Sequence, residues 1–293
     1  MRIVSLLPSA TEIVFALGLG DELRGVSFEC DFPPEARTRV HVSGTALGDG
    51  LTPAEIDAEV AAATQAGAPI YTLDHDAIRA IAPDVIITQD LCRVCAVPAG
   101  AVDAALDLLG CRADVVSLDP HRIDEVIACV GQVGAATGTG DAAARLMVGL
   151  RSRVEAVCAR VAGLTRPRVL ALEWADPPFS AGHWVPDMIQ AAGGETVLAR
   201  AGEHSVRLEW SEIASTPADV VVFMPCGFDL DAVIAQSAAV VGRPELAAAG
   251  AFFAVDANAH FSRPGPRVVD GVELLAELLH PTGPAPRTAR RLR

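Results

Sequence analysis

The chain has 293 residues, 51% of them hydrophobic but only 4% aromatic, which is length enough for two α/β lobes, each with its own core. Its formal charge of −14 repels phosphate backbones and excludes nucleic acid as an expected partner. No run of ~18 apolar residues is free of charge or proline, so no membrane-spanning helix is expected.

In chain order, short aliphatic runs at Arg2–Leu7, Leu23–Glu29, Ile70–Leu73, Asp84–Thr88 and Val115–Leu118 read as strands. Helical patterns such as Thr11–Leu17 and Ala99–Leu109 lie between them. Strands that are apolar throughout, alternating with Ala-rich helices, imply a mostly parallel sheet covered on both faces. Ser9 and Glu12 fit a capping box at the start of the first helix. Residues 1–20 do not read as a secretory leader. They carry one early charge, are interrupted by Pro8 and Glu12, and have neither a small-x-small cleavage site nor a lipobox-like cysteine. The expected location is therefore cytoplasmic.

Over Asp141–Gly163, Leu146, Leu150, Val154, Val157 and Val161 recur at steps of four and three, one face of a single helix. Its length would be ~35 Å. Strands at Arg168–Leu172, Val220–Met224 and Ala251–Val255 follow, with helices near Val185–Ala192 and Asp231–Ala239. The expected fold is α/β: two Rossmann-like lobes with mostly parallel sheets, joined by a single long helix. The divisions are an N-terminal lobe at 1–138, a connecting helix at 139–163, a C-terminal lobe at 164–281 and a tail at 282–293. The tail, basic and proline-flanked, is expected to be disordered.

Ligands of open parallel sheets bind beyond the carboxyl ends of the strands. Those loops hold Ser9, Glu29, Cys30, Asp31, Asp90, Cys92, Cys95, Asp119 and His121 in the first half, and Trp174, Phe179, Cys226, Phe228, His260 and Phe261 in the second. Trp184 lies nearby, beside His183. Trp174, Phe179, Trp184, Phe228 and Phe261 can stack on a flat ligand or pack beneath the loops. Arg263 and Arg267 can hold its polar edge or cap a loop.

Of seven cysteines, Cys30, Cys92, Cys95 and Cys226 fall in strand-end loops, where thiolates can ligate zinc or an iron–sulfur cluster. Cys129 and Cys158 on helices, and Cys111 before a strand, read as small buried apolar residues. No Ser-His-Asp spacing, P-loop or dinucleotide fingerprint is present.

The segments Ile3–Glu12, Ala16-Leu17-Gly18, Asp31-Phe32-Pro33-Pro34, Ala82–Ile86 and Ala192–Glu195 resemble the cobalamin and iron-siderophore class of periplasmic binding proteins. Asp176–Gly182 resembles its vitamin B12-binding branch. The Cys30, Cys92–Cys95 and Cys226 loops are similar to a cysteine-containing subgroup of it that lacks a leader. The resemblance reaches to about Leu279. It implies two lobes bridged by one helix, little hinge motion, binding rather than catalysis, and cobalamin or another corrinoid or metal-tetrapyrrole as the small-molecule ligand. The chain is expected to be a monomer, with an ABC transporter permease as partner only if it is exported. Two readings compete with the resemblance: a metal or iron–sulfur protein, catalytic or not, on the four loop cysteines, and a thiol redox enzyme on Cys92 and Cys95.

Overall fold

The computed structural model describes residues 1–48, 50–89, 100–102, 112–283 and 286–293, and all structural statements here concern these. They form two compact units, residues 1–120 with 127–149 and residues 121–126 with 150–293. The first unit is built on a five-stranded parallel sheet of β1 (Ile3–Ser5), β2 (Leu23–Val26), β3 (Val40–His41), β6 (Val85–Thr88) and β7 (Asp114–Ser117), in the order β3-β2-β1-β6-β7. β6 is buried at every position, which is why it carries no polar alternation.

The run at 70–73 lies outside this sheet. Tyr71–Leu73 (β5) pairs antiparallel with Ser43–Thr45 (β4) in a separate two-stranded ribbon. None of its three residues is buried, and Thr72 is exposed, so a central position in a doubly covered sheet does not suit it.

The first helix, Pro8–Ala16, starts two residues earlier than a capping box at Ser9 predicts. Leu7 is the cap, in extended conformation and without a side-chain bond. Pro8 decides this, because its ring presets φ and its missing N–H is no loss at the first helical position. Ser9 and Glu12 are instead buried within the helix. Of the helix expected over Ala99–Leu109, only residues 100–102 are described, and these are helical.

The second unit holds a seven-stranded sheet. Its centre is parallel: β8 (Arg168–Ala175), β12 (Val220–Phe223) and β13 (Ala251–Val255), with β10 (Glu195–Thr196) parallel to the start of β8. Antiparallel strands flank it: β9 (Pro178–Ser180), β11 (Val206–Arg207) and β14 (Ala289–Arg291). Leu170, Leu172, Val221, Phe223 and Phe252 are the middle of its core.

β14 corrects the expectation of a disordered tail. Ala289 is buried, Arg291 lies over the Phe253 ring, and the Arg293 guanidinium donates to the carbonyls of Val241 (3.3 Å) and Leu246 (2.6 Å). Arg291 and Arg293 bind backbone carbonyls, a use that composition does not reveal.

Gly140–Val161 is one continuous helix. Leu150, Val157 and Val161 of the predicted stripe are buried. In the second unit Arg153 pairs with Asp270 and Glu273, and Arg160 with Glu277. Cys129 is buried as expected, but Cys158 is exposed. One residue beyond Val157, it points about 100° away from the buried stripe. No helix among the described residues is long and apolar enough to cross a membrane.

Candidate functional site

In the first unit the polar residues at the strand ends bond to one another. The Thr11 hydroxyl lies 2.8 Å from Ser5 Oγ and 3.1 Å from Cys30 Sγ, and Ser5 Oγ donates to the Leu7 carbonyl at 2.9 Å. All three side chains are buried, as is Ser9. The Cys30 thiol is therefore part of a packed hydroxyl network. Two aromatics of the loop that carries it are exposed. Phe28 and Phe32 are 36% and 42% exposed, and Phe28 stacks obliquely on Tyr71 at 6.1 Å. Tyr71 Oη donates to Glu29 at 3.4 Å, and Asp31 stands 4.0 Å from Arg37. Asp90, Cys92, Cys95 and Cys111 lie outside the described residues.

In the second unit β8 and β12 run side by side and parallel, so their carboxyl ends deliver Trp174 and Phe228 to the same edge. The two rings stand 5.9 Å apart at 40°, and both are half-buried. Trp174 donates its indole N–H to the Asp176 carbonyl at 3.2 Å. Phe179, on β9, is Trp174's direct cross-strand partner and is also half-buried. Cys226 is exposed in the loop before Phe228.

Trp184 and Phe261 belong to the unit's interior. They are 6% and 2% exposed, and the Trp184 indole donates to the Phe261 carbonyl at 2.8 Å. His260 has two water-inaccessible ring nitrogens without a hydrogen-bond partner. Burial holds its imidazole below the usual histidine pKa. Arg263 and Arg267 are half-buried.

Three further histidines meet in this unit. His121 precedes the helix Ile123–Ala136, His183 precedes the helix Val185–Ala191, and His204 precedes β11. Their ring centroids are 5.0 Å (His183–His204), 5.5 Å (His121–His204) and 5.8 Å (His121–His183) apart. His183 Nε2 and His204 Nδ1 are in contact at 3.0 Å. Burial first, then His204 and His121, push the His183 pKa down to about 4, so its ring is neutral at pH 7.

The backbone fixes this arrangement. His183 has φ +53°, a region that costs an L-residue of order 1–3 kcal/mol. Its N–H donates to the Glu203 carbonyl at 2.6 Å, and its carbonyl accepts from Gly202 at 3.0 Å. A Cβ on Gly182 would collide with the backbone of Ser205 and Glu203, so only glycine permits this approach. Arg122, beside His121, forms a two-point bond to Asp187 at 2.6 and 2.7 Å.

The structure thus gathers Trp174, Phe179 and Phe228 on one edge. Cys30 and Cys226 lie in different units. No set of three or more metal-binding side chains among the described residues is arranged to hold an ion, so zinc or an iron–sulfur cluster on the loop cysteines gains no support. Sequence reading singles out neither the exposed Phe28 and Phe32 nor the exposed His204. Phe28 and Phe32 flank the singled-out Glu29-Cys30-Asp31, a usable signal, whereas nothing in the pattern marks His204.

Comparison with known proteins fits this architecture. Residues 3–248 match the model of a family described as periplasmic binding protein. The cobalamin-binding protein of Halobacterium salinarum is 27% identical over 288 residues, covering 96% of this chain and 70% of that protein. A periplasmic heme-binding protein of Pseudomonas aeruginosa superposes with a TM-score of 0.74 at 18% identity, over 99% of this chain and 97% of that one. The periplasmic vitamin B12 binding protein of Vibrio cholerae does so with 0.65 at 23% identity, over 95% and 96%. The two structural likenesses, both below a quarter identical, concern the fold.

Proposed function

Because the chain belongs to the periplasmic binding protein family, we propose that it binds a small, flat metal-tetrapyrrole ligand of the corrinoid class, without chemical turnover. The observation that carries this reading is the aromatic edge of the second unit. Trp174, near the end of β8, and Phe228, in the loop that follows the adjacent parallel strand β12, have their rings 5.9 Å apart, and Phe179 on β9 pairs with Trp174. Residues left half-exposed in a chain with so few aromatics provide an apolar face for a planar ring. Each aromatic ring that such a ligand covers contributes roughly 1–2 kcal/mol, at ~25 cal/mol per Å². The Halobacterium relative, which bears the name cobalamin-binding protein along nearly the whole of this chain, supports a corrinoid over other flat ligands.

The test is a calorimetric titration of the purified chain with cobalamin, with cobinamide (the same ring without the nucleotide) and with hemin. The expected result is one-to-one binding of a corrinoid at about 10 μM or tighter, and tighter than hemin. A chain that prefers hemin, or binds no corrinoid saturably, refutes the proposal.

A further inference from the structure

We infer that His121, His183 and His204 form a binding site for a borderline divalent transition-metal ion of the zinc, nickel or cobalt class. The three imidazoles come from three separate stretches of the second unit and lie within 5.0–5.8 Å of one another, centroid to centroid. The 3.0 Å between His183 Nε2 and His204 Nδ1 is the separation two nitrogens take on one metal. With metal–nitrogen bonds of ~2.0–2.1 Å, angles between 90° and 109° put them about 2.9–3.4 Å apart. In the ring pair one nitrogen donates and the other accepts. Moving that proton to the far nitrogen of its own ring frees both lone pairs without changing the charge.

Several features make this a constructed site. His183 is held in the left-handed region by backbone bonds to Glu203 and Gly202, and Gly182 admits the 203–205 segment against it. On the other side, the backbone N–H of His121 donates to Glu125 at 2.6 Å, and its neighbour Arg122 is bonded to Asp187. As they stand, no three donors among the described residues converge on one point. The half-exposed His121 ring must turn about its side-chain torsions to complete the set. Imidazole donors select zinc, nickel, cobalt or copper over magnesium and calcium, which require oxygen.

This inference does not rest on the corrinoid reading, and its test contains no corrinoid. The full chain, stripped of metal with a chelator and kept reduced, is titrated with Zn²⁺ by calorimetry and with Co²⁺ by absorbance. One equivalent of each should bind. The cobalt spectrum should show ligand-field bands without the intense near-ultraviolet thiolate-to-cobalt band that cysteine ligation produces. His204→Ala, at an exposed position, should weaken zinc at least tenfold and leave the metal-free melting temperature unchanged. His183→Asn, which tolerates the left-handed backbone, and His121→Ala should weaken it as well. Stoichiometric binding that shows the thiolate band and survives all three substitutions would place the metal on cysteines and overturn the assignment. Absence of stoichiometric binding would overturn it too.

Discussion

At the strand ends of the first unit, Phe28 and Phe32 lie open on the loop after β2, but the small polar side chains turn inward: Ser5, Thr11 and Cys30 are buried and share hydrogen bonds. At the strand ends of the second unit the residues that stand out are large. Trp174, Phe179 and Phe228 remain half-exposed, and imidazoles crowd together a short way along the chain. Both sets occupy the topological place where parallel sheets bind ligands, yet satisfied hydroxyls can offer a ligand little, whereas uncovered rings still have area to bury. Position at a strand end nominates a residue, and its remaining exposure and bonding decide whether it is free to act.

The largest effect that would break this contrast is expected at Gly182. Gly182→Ala should destabilise the second unit by about 2–3 kcal/mol, because the added methyl collides with the main chain of residues 203–205. Urea denaturation measures it, and an unchanged midpoint would mean that the two segments are not held together as described. Trp174→Ala should weaken corrinoid binding about tenfold or more while changing stability by less than about 1 kcal/mol, since the ring is half-exposed. Thr11→Val inverts that pattern. It removes the hydroxyl that bonds Ser5 and Cys30 and should cost about 1–2 kcal/mol of stability, with ligand affinity kept within twofold.

The smallest effect concerns pH. The folded-state pKa of His260 is depressed by burial, below an unfolded value of about 6.5. Its contribution is therefore complete above pH ~6.5 and is lost as pH falls from there toward the folded value, because only the unfolded chain takes up the proton. His260→Gln should make the decline of melting temperature below pH ~6.5 shallower. His183 shifts in the same direction, so part of the slope should survive the substitution.

Much of the fold was legible in hydrophobic runs. Ala251–Val255 was delimited to the residue, and the stripe Leu146–Val161 marked the helix Gly140–Val161. What escaped depends on the backbone: the antiparallel edges β9, β11 and β14 are two or three residues long and are made by main-chain pairing that leaves no periodicity to read. The helix start at Pro8 escaped because a Ser-x-x-Glu pattern looks the same whether or not a proline has already begun the turn. At the site, the residues of the aromatic edge could be named from strand ends. Their separation from Trp184 and Phe261, which look alike in sequence, required knowing which indole is buried and bonded. The histidine cluster unites positions 121, 183 and 204 through the left-handed backbone at His183, and no local pattern encodes that.

The contrast between the two strand ends is tested most directly by measuring corrinoid dissociation constants for the parent chain, Trp174→Ala and Thr11→Val side by side by equilibrium dialysis. The account predicts a loss of about tenfold or more for Trp174→Ala and parent-like affinity for Thr11→Val. Equal losses in both, or a loss confined to Thr11→Val, would contradict it.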